Sequence, residues 1–261
     1  MQRITNNNLW KYRHLLLLLV WRDVKARYKQ AFFGIGWAIL TPIVIALVFT
    51  LVFDVFFKIS KGPIPYLLTF FTGFIFWNFF SQSISSATLS VTGNSNLVTK
   101  VAFPKEILVL ASILGRIPDL LASFLVLFLL LVFYQINFSF FMIWIIPLIF
   151  LESLLILGVG LFFSATNVYF RDITAITPLV LMVWLYLTPV IYSLDSIPQR
   201  YRFFAMLNPL TGIIESFRKI ILLKQPPDFV ALAFTIAITF LLLVIGYFFF
   251  KKLEKGFADI I

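Results

Sequence analysis

Six long stretches with almost no charge leave this chain one environment to fold in. They run over roughly 37–57, 66–89, 107–134, 140–167, 173–192 and 229–250, each near the 20 or so apolar residues that an α-helix needs to cross a hydrocarbon core. Lipid offers no hydrogen bonds to a bare backbone, so such runs must satisfy their own amides as helices. Of 261 residues, 61% are hydrophobic and 12% charged, about half the charge of a soluble domain. The predicted fold is an all-α polytopic membrane protein with six transmembrane helices, forming one membrane domain over residues 1–261.

The runs differ in character. The second ends in SQSISSATLS, polar enough to face a pore or another helix. The third and fourth are long, which implies tilt or extension past the membrane. Ahead of the first, residues 9–36 pass from apolar Leu15–Trp21 to Arg22, Lys25, Arg27 and Lys29 and then to Phe32 and Phe33, the pattern of an amphipathic helix lying in the interface. The apolar core at 15–20 imitates a signal peptide but is short, and charged WRDVKARYK stands where a cleavage site belongs, so it reads as retained.

Orientation follows from Lys and Arg in the flanks. With the N-terminus inside, segments 1–36, 90–106, 168–172 and 251–261 hold 13 and the opposite segments hold 7, which predicts cytoplasmic termini. Segment 193–228 is too long for a turn and too apolar for a free loop. It predicts two short helices dipping back into the outer leaflet, broken at Asn208-Pro209.

Several chemistries are excluded. There is no Cys and one His, His14, so thiolate and His-cluster metal sites are absent, and no metal site is expected. A phosphate cradle needs GxxxxGK[ST]; the nearest stretch, GNSNLVTK at 93–100, lacks the second Gly. Neither HExxH nor GxSxG occurs. Net charge +10 suits cytoplasmic flanks and anionic lipid, and no soluble basic domain exists for nucleic acid. The chain reads as a transport subunit rather than an enzyme, with no cofactor of its own.

Charges inside the spans point to function by default. Arg116 and Asp119 stand three apart on a helix, placed to neutralise one another or to take part in conformational coupling. Asp54 lies near the outer end of its span, where hydration accounts for it. Glu152, in LIFLESLLILG, has no local partner and must find one on another helix, another subunit or a polar cavity. The apolar NSNLVTKVAFPKEIL at 94–108 either turns the chain or offers a docking surface to a soluble partner, through Leu97, Val98, Lys100, Val101, Phe103, Pro104, Lys105 and Glu106. The basic run 22–29 either flanks the first span or binds phosphate.

Four blocks carry a resemblance: RDVKARYKQAFFGIGWAILTPI at 22–43, NLVTKVAFPKEIL at 96–108, LTPVIYSLDSIPQRYRFFAMLNPLTGIIESFRKIIL at 187–222 and GYFFFKKLEKGFADII at 246–261. In this order they resemble the permease subunits of ABC-type polysaccharide exporters, the group that exports O-antigen, capsule and teichoic acid chains. The resemblance implies a homodimer in the inner membrane with two copies of a cytoplasmic ATPase subunit that carries Mg-ATP. It assigns 96–106 as the coupling helix, 9–29 as the interface helix, and 193–224 as re-entrant outer gate helices. The implied cargo is lipid-linked polysaccharide, whose sugars stack on aromatic faces. Span residues placed to offer such faces are Phe49, Phe53, Phe70, Phe74, Trp77, Trp184, Tyr186 and Tyr192. Arg22, Lys25, Arg27 and Lys29 would meet the anchor's phosphates. The rival readings are a drug or small-lipid exporter of the same superfamily and an ion-coupled secondary carrier using Asp54, Asp119 and Glu152.

Overall fold

The computed structural model describes residues 9–29, 33–34, 36–56, 58 and 64–261. Parts of the predicted interface element (30–32 and 35), of the first outer loop (59–63) and of the N-terminal flank (1–8) lie outside them. The described residues contain helices and turns and no strand. Five helices are long and apolar enough to cross a membrane: Gly36–Phe56, Tyr66–Ser90, Glu106–Phe133, Phe140–Tyr169 and Phe229–Ile260.

Helix α1 (Arg13–Tyr28) precedes α2 (Gly36–Thr50), which continues as a π-helical stretch through Phe56. Helix α3 (Tyr66–Ser90) is followed by short α4 (Ser95–Lys100). The third crossing is divided into α5 (Glu106–Leu114) and α6 (Ile117–Phe133). Pro118 explains the division: it has no N–H to offer the carbonyl four residues earlier, so the ladder stops at Gly115–Arg116 and restarts with proline in the first turn. Then come α7 (Ile145–Tyr169), α8 (Ile173–Leu187), α9 (Gln199–Met206), α10 (Pro209–Leu222), α11 (Phe229–Leu253) and α12 (Phe257–Ile260).

The fifth predicted run departs from expectation. Instead of reaching residue 192, α8 stops after 15 residues, because Pro189 pushes the residue before it out of the α region. Thr188 is accordingly extended, with φ −99° and ψ 137°. The other five runs match their helices to within a few residues, apart from an extension of the last through α12.

Helix α3 sits at the centre, packed by α2, α5, α6, α7, α8 and α10. In its most apolar stretch 72% of residues are buried, against 11% for Gly36–Phe56, so α2 spends its apolar surface outward and α3 inward. The tightest crossing joins α7 to α11. A Cβ on Gly246 would lie 2.0 Å from the Gly158 carbonyl oxygen, the backbone approach that small residues permit where lipid supplies no hydrophobic drive. Helix α10 packs on α3, α7 and α11 and α9 on α11, with the chain broken at Leu207–Asn208.

Candidate functional site

At one end of the molecule α4 projects between α3 and α5. Asn96, Thr99, Lys100 and Val101 are exposed and Leu97 is half-buried. Val98, Phe103, Pro104 and Glu106 face inward, so of the eight residues singled out in this segment these four shape the surface from beneath and Lys100 and Val101 form it. Lys105 is half-buried beside Glu254 and Glu106, and burial pushes its ammonium below the ordinary lysine range. Asn167 on α7 braces the turn before α4: its amide donates to the Thr88 carbonyl (3.1 Å) and to Thr92 Oγ1 (3.2 Å), and its Oδ1 accepts from Thr174 (2.8 Å).

A second site lies where α1 meets α2, α3 and α6, around a cavity of about 310 Å³ lined by Arg27, Tyr28, Trp37, Asn78, Gln82, Arg116 and Asp119. Arg27 pairs with Asp119 and donates to the Gly115 carbonyl, and Tyr28 donates to the same carboxylate. Burial, reinforced by that hydrogen bond, holds the Tyr28 phenol up to about 12, so it remains a donor at any physiological pH. Arg116 reaches Asp119 at 3.6 Å and spends its closer donors on Ser86 Oγ at 2.6 and 2.8 Å. The pairing read from i,i+3 spacing is thus present, but Asp119 belongs mainly to α1. Arg22, Lys25 and Lys29 are exposed, Arg22 beside Asp23, so three of the four basic residues stay on the surface and Arg27 joins helices.

A third site, at the opposite end, is an apolar crevice of about 770 Å³ between α8 and the α9–α10 hairpin, lined among others by Val183, Trp184, Leu187, Tyr192, Tyr201, Phe204 and Asn208. Asn208 orders its rim. Trp184 Nε1 donates to Oδ1 (3.1 Å), Nδ2 donates to Thr188 Oγ1 (2.8 Å), and Oδ1 caps α10 at the Leu210 amide (3.2 Å). Two of the eight aromatic candidates, Trp184 and Tyr192, meet here. Tyr186 lies 57% exposed on the outer face of α8. Phe49, Phe53, Phe70 and Phe74 form one ladder, with Phe49 and Phe70 stacked at 4.5 Å. Phe70, Phe74 and Trp77 are buried, so in this conformation their rings face protein.

Arg218 went unnoticed in the sequence. It is 5% exposed and donates to the carbonyls of Val190 (2.7 Å), Tyr192 (3.1 Å) and Thr69 (3.2 Å) and to Glu215 (2.8 Å). It thereby ties α10 to α3 and to the segment after α8. The only sequence signal is Glu215, three residues earlier; carbonyl partners leave no trace in residue types. Glu152 is the reverse case: fully buried on α7, it has no hydrogen-bond partner for either oxygen among the described residues. Nor do these residues hold any cluster of metal-ligand type.

Five helices long and apolar enough to cross a membrane, with buried charge held between helices, mark a multi-pass membrane protein. The chain belongs to the ABC-2 type transporter family, whose profile matches residues 14–222. It is similar to an O-antigen export system permease protein RfbA of Klebsiella pneumoniae, 28% identical over 256 residues and 97% of each chain. A second RfbA, from Myxococcus xanthus, is 29% identical over 96% of each. Polysialic acid transport protein KpsM of Escherichia coli is 22% identical over 90% of this chain and 92% of its own.

Proposed function

We propose that this chain is the channel-forming subunit of an exporter that moves lipid-linked polysaccharide out of the cytoplasm, driven by ATP hydrolysed on a separate subunit. The observation that carries the reading is similarity along nearly the whole length to relatives named for O-antigen export, in a sequence with no phosphate-binding loop of its own. In this reading the chain lies in the inner membrane as a homodimer with both termini cytoplasmic. The 15-residue α8 is the short fifth of six spans, continued by the turn at 188–192, α1 lies in the inner interface and α9–α10 re-enter from the outside.

The exposed face of α4 seats the ATPase subunit, of which two copies carry Mg-ATP. Arg22, Lys25 and Lys29 gather anchor phosphates at the inner leaflet, where basic side chains attract anionic groups. Trp184 and Tyr192 offer ring faces to sugar C–H surfaces in the outer crevice, and Phe49 on α2 and Phe53 on its π-helical continuation offer theirs further along the path. Deleting the gene in its host tests this: cells should lose surface polysaccharide and accumulate lipid-linked glycan inside, and the restored full-length chain should bring down an ATPase subunit. Surface polysaccharide unchanged by the deletion would contradict it.

A further inference from the structure

The end that carries α4 holds a charge network that the reading above leaves unused. Glu106, the first residue of α5, is 4% exposed. The Lys251 ammonium lies 2.8 Å from one of its oxygens and 2.9 Å from the other, and 2.9 Å from Glu254 Oε2. Glu254 Oε1 accepts the backbone N–H of Lys105 at 3.0 Å. That amide is one of the donors a helix start leaves without an intrahelical partner, so α5 is capped by a residue 149 positions further along.

The connection from α4 into this network has little slack. Phe103 and Pro104 are buried, and Lys105 Nζ folds back to the Val101 carbonyl at 3.0 Å. Behind it α12 packs on α4. Phe257 is buried against Phe250 and Tyr169, with centroids at 5.3 and 6.3 Å, and Tyr169 Oη donates to the Leu253 carbonyl at 3.1 Å.

We infer that α4 and the C-terminal end of α11 move as one body, joined by Lys251 as a positioning residue. A displacement imposed on α4 is thereby delivered to α11 and, through the Gly246–Gly158 crossing, to α7. The joint holds because parting Lys251 from Glu106 leaves a buried carboxylate without its counter-charge, a costly state. Coupling between distant sites travels through such packed and paired elements when they have two arrangements. The inference rests on the reading of α4 as the seat of an ATPase subunit and adds where the movement goes.

The test compares full-length variants in complex with the ATPase subunit. ATP turnover is measured on purified complex, and surface polysaccharide is measured on cells by periodate oxidation and hydrazide-dye labelling, both normalised to assembled complex. The double variant Glu106→Gln with Lys251→Met removes the joint and leaves no buried carboxylate at residue 106. It should keep turnover within about twofold while polysaccharide per ATP falls about tenfold, the scale of typical coupling between sites. Lys251→Arg, which keeps charge and donors, should stay near the wild-type ratio. If the double variant does not assemble, Glu106→Met alone, which parts the joint and leaves Lys251 its Glu254 partner, should still lower the ratio. An unchanged ratio in the assembled double variant, or in Glu106→Met where that substitutes for it, overturns the inference. A wild-type chain that recovers no ATPase subunit counts against the earlier reading instead.

Discussion

Arg218 Nη2 on α10 donates a 2.7 Å hydrogen bond to the Val190 carbonyl on the segment after α8. The same guanidinium reaches Thr69 on α3. One buried side chain therefore fixes the α9–α10 hairpin against the rest of the helical body.

Removing it should be severe. Arg218→Ala strands three backbone carbonyls, that of Val190 fully buried, and Glu215, and breaking a buried charged network by deleting one partner costs about 3–5 kcal/mol. Arg218→Lys should recover only part of this, because an ammonium cannot reproduce the planar fork. Thermal midpoints of purified protein in detergent check both, with the lysine variant expected between alanine and wild type.

Asp228 gives the α10–α11 connection a pH dependence of known sign. Its hydrogen bond from Lys219 (2.7 Å) holds the carboxyl below its ordinary range, aided by the Ala231 amide that it caps. A lowered folded value contributes stability fully above the unfolded value of about 3.9 and loses it as pH falls through the lowered one. Wild type should therefore be more stable than Asp228→Asn at pH 7, and the gap should close below about pH 4 as the folded carboxyl protonates. Midpoints of the two proteins across that range read the effect.

The basic residues of α1 should separate into two behaviours. Lys25 and Lys29 are exposed, and neutralising both should lower surface polysaccharide while assembly with the ATPase subunit persists. Arg27 is held by Asp119 and the Gly115 carbonyl, so Arg27→Ala should reduce the amount of folded protein and its midpoint. Quantifying complex and surface polysaccharide side by side distinguishes the two, and equal behaviour would contradict the division.

Glu152 carries the opposite expectation to Arg218. Its carboxylate is buried with no partner among the described residues, and an unpaired buried polar group costs about 1–3 kcal/mol. Glu152→Leu should raise the midpoint by the corresponding few degrees. A lowered midpoint would mean that a group outside this chain, such as a second copy of it, satisfies the carboxylate.

The spans were legible because 20-residue apolar runs have few alternatives in lipid, and the break at Asn208-Pro209 was legible because proline pushes the residue before it out of the α region, although Pro42 and Pro178 stand inside helices. The same rule, applied at Pro189, would have ended α8 five residues earlier than hydrophobicity alone suggested. The sites were less legible. Asp119 has Arg116 three residues away, yet its main partners stand 91 and 92 positions earlier on α1. Arg218 binds backbone, which no residue pattern encodes. Lys251 and Glu106 lie 145 positions apart, on α11 and α5, which meet because both pack on α7.

Movement of polysaccharide by this permease on energy from another chain can be read in proteoliposomes. They hold the purified chain with its ATPase subunit and fluorescently labelled lipid-linked glycan extracted from cells blocked in export. Labelled glycan should cross the bilayer only with ATP, and not when the ATPase subunit is absent or its phosphate-binding lysine is replaced. Crossing that persists without the ATPase subunit and follows an imposed proton or sodium gradient would contradict it.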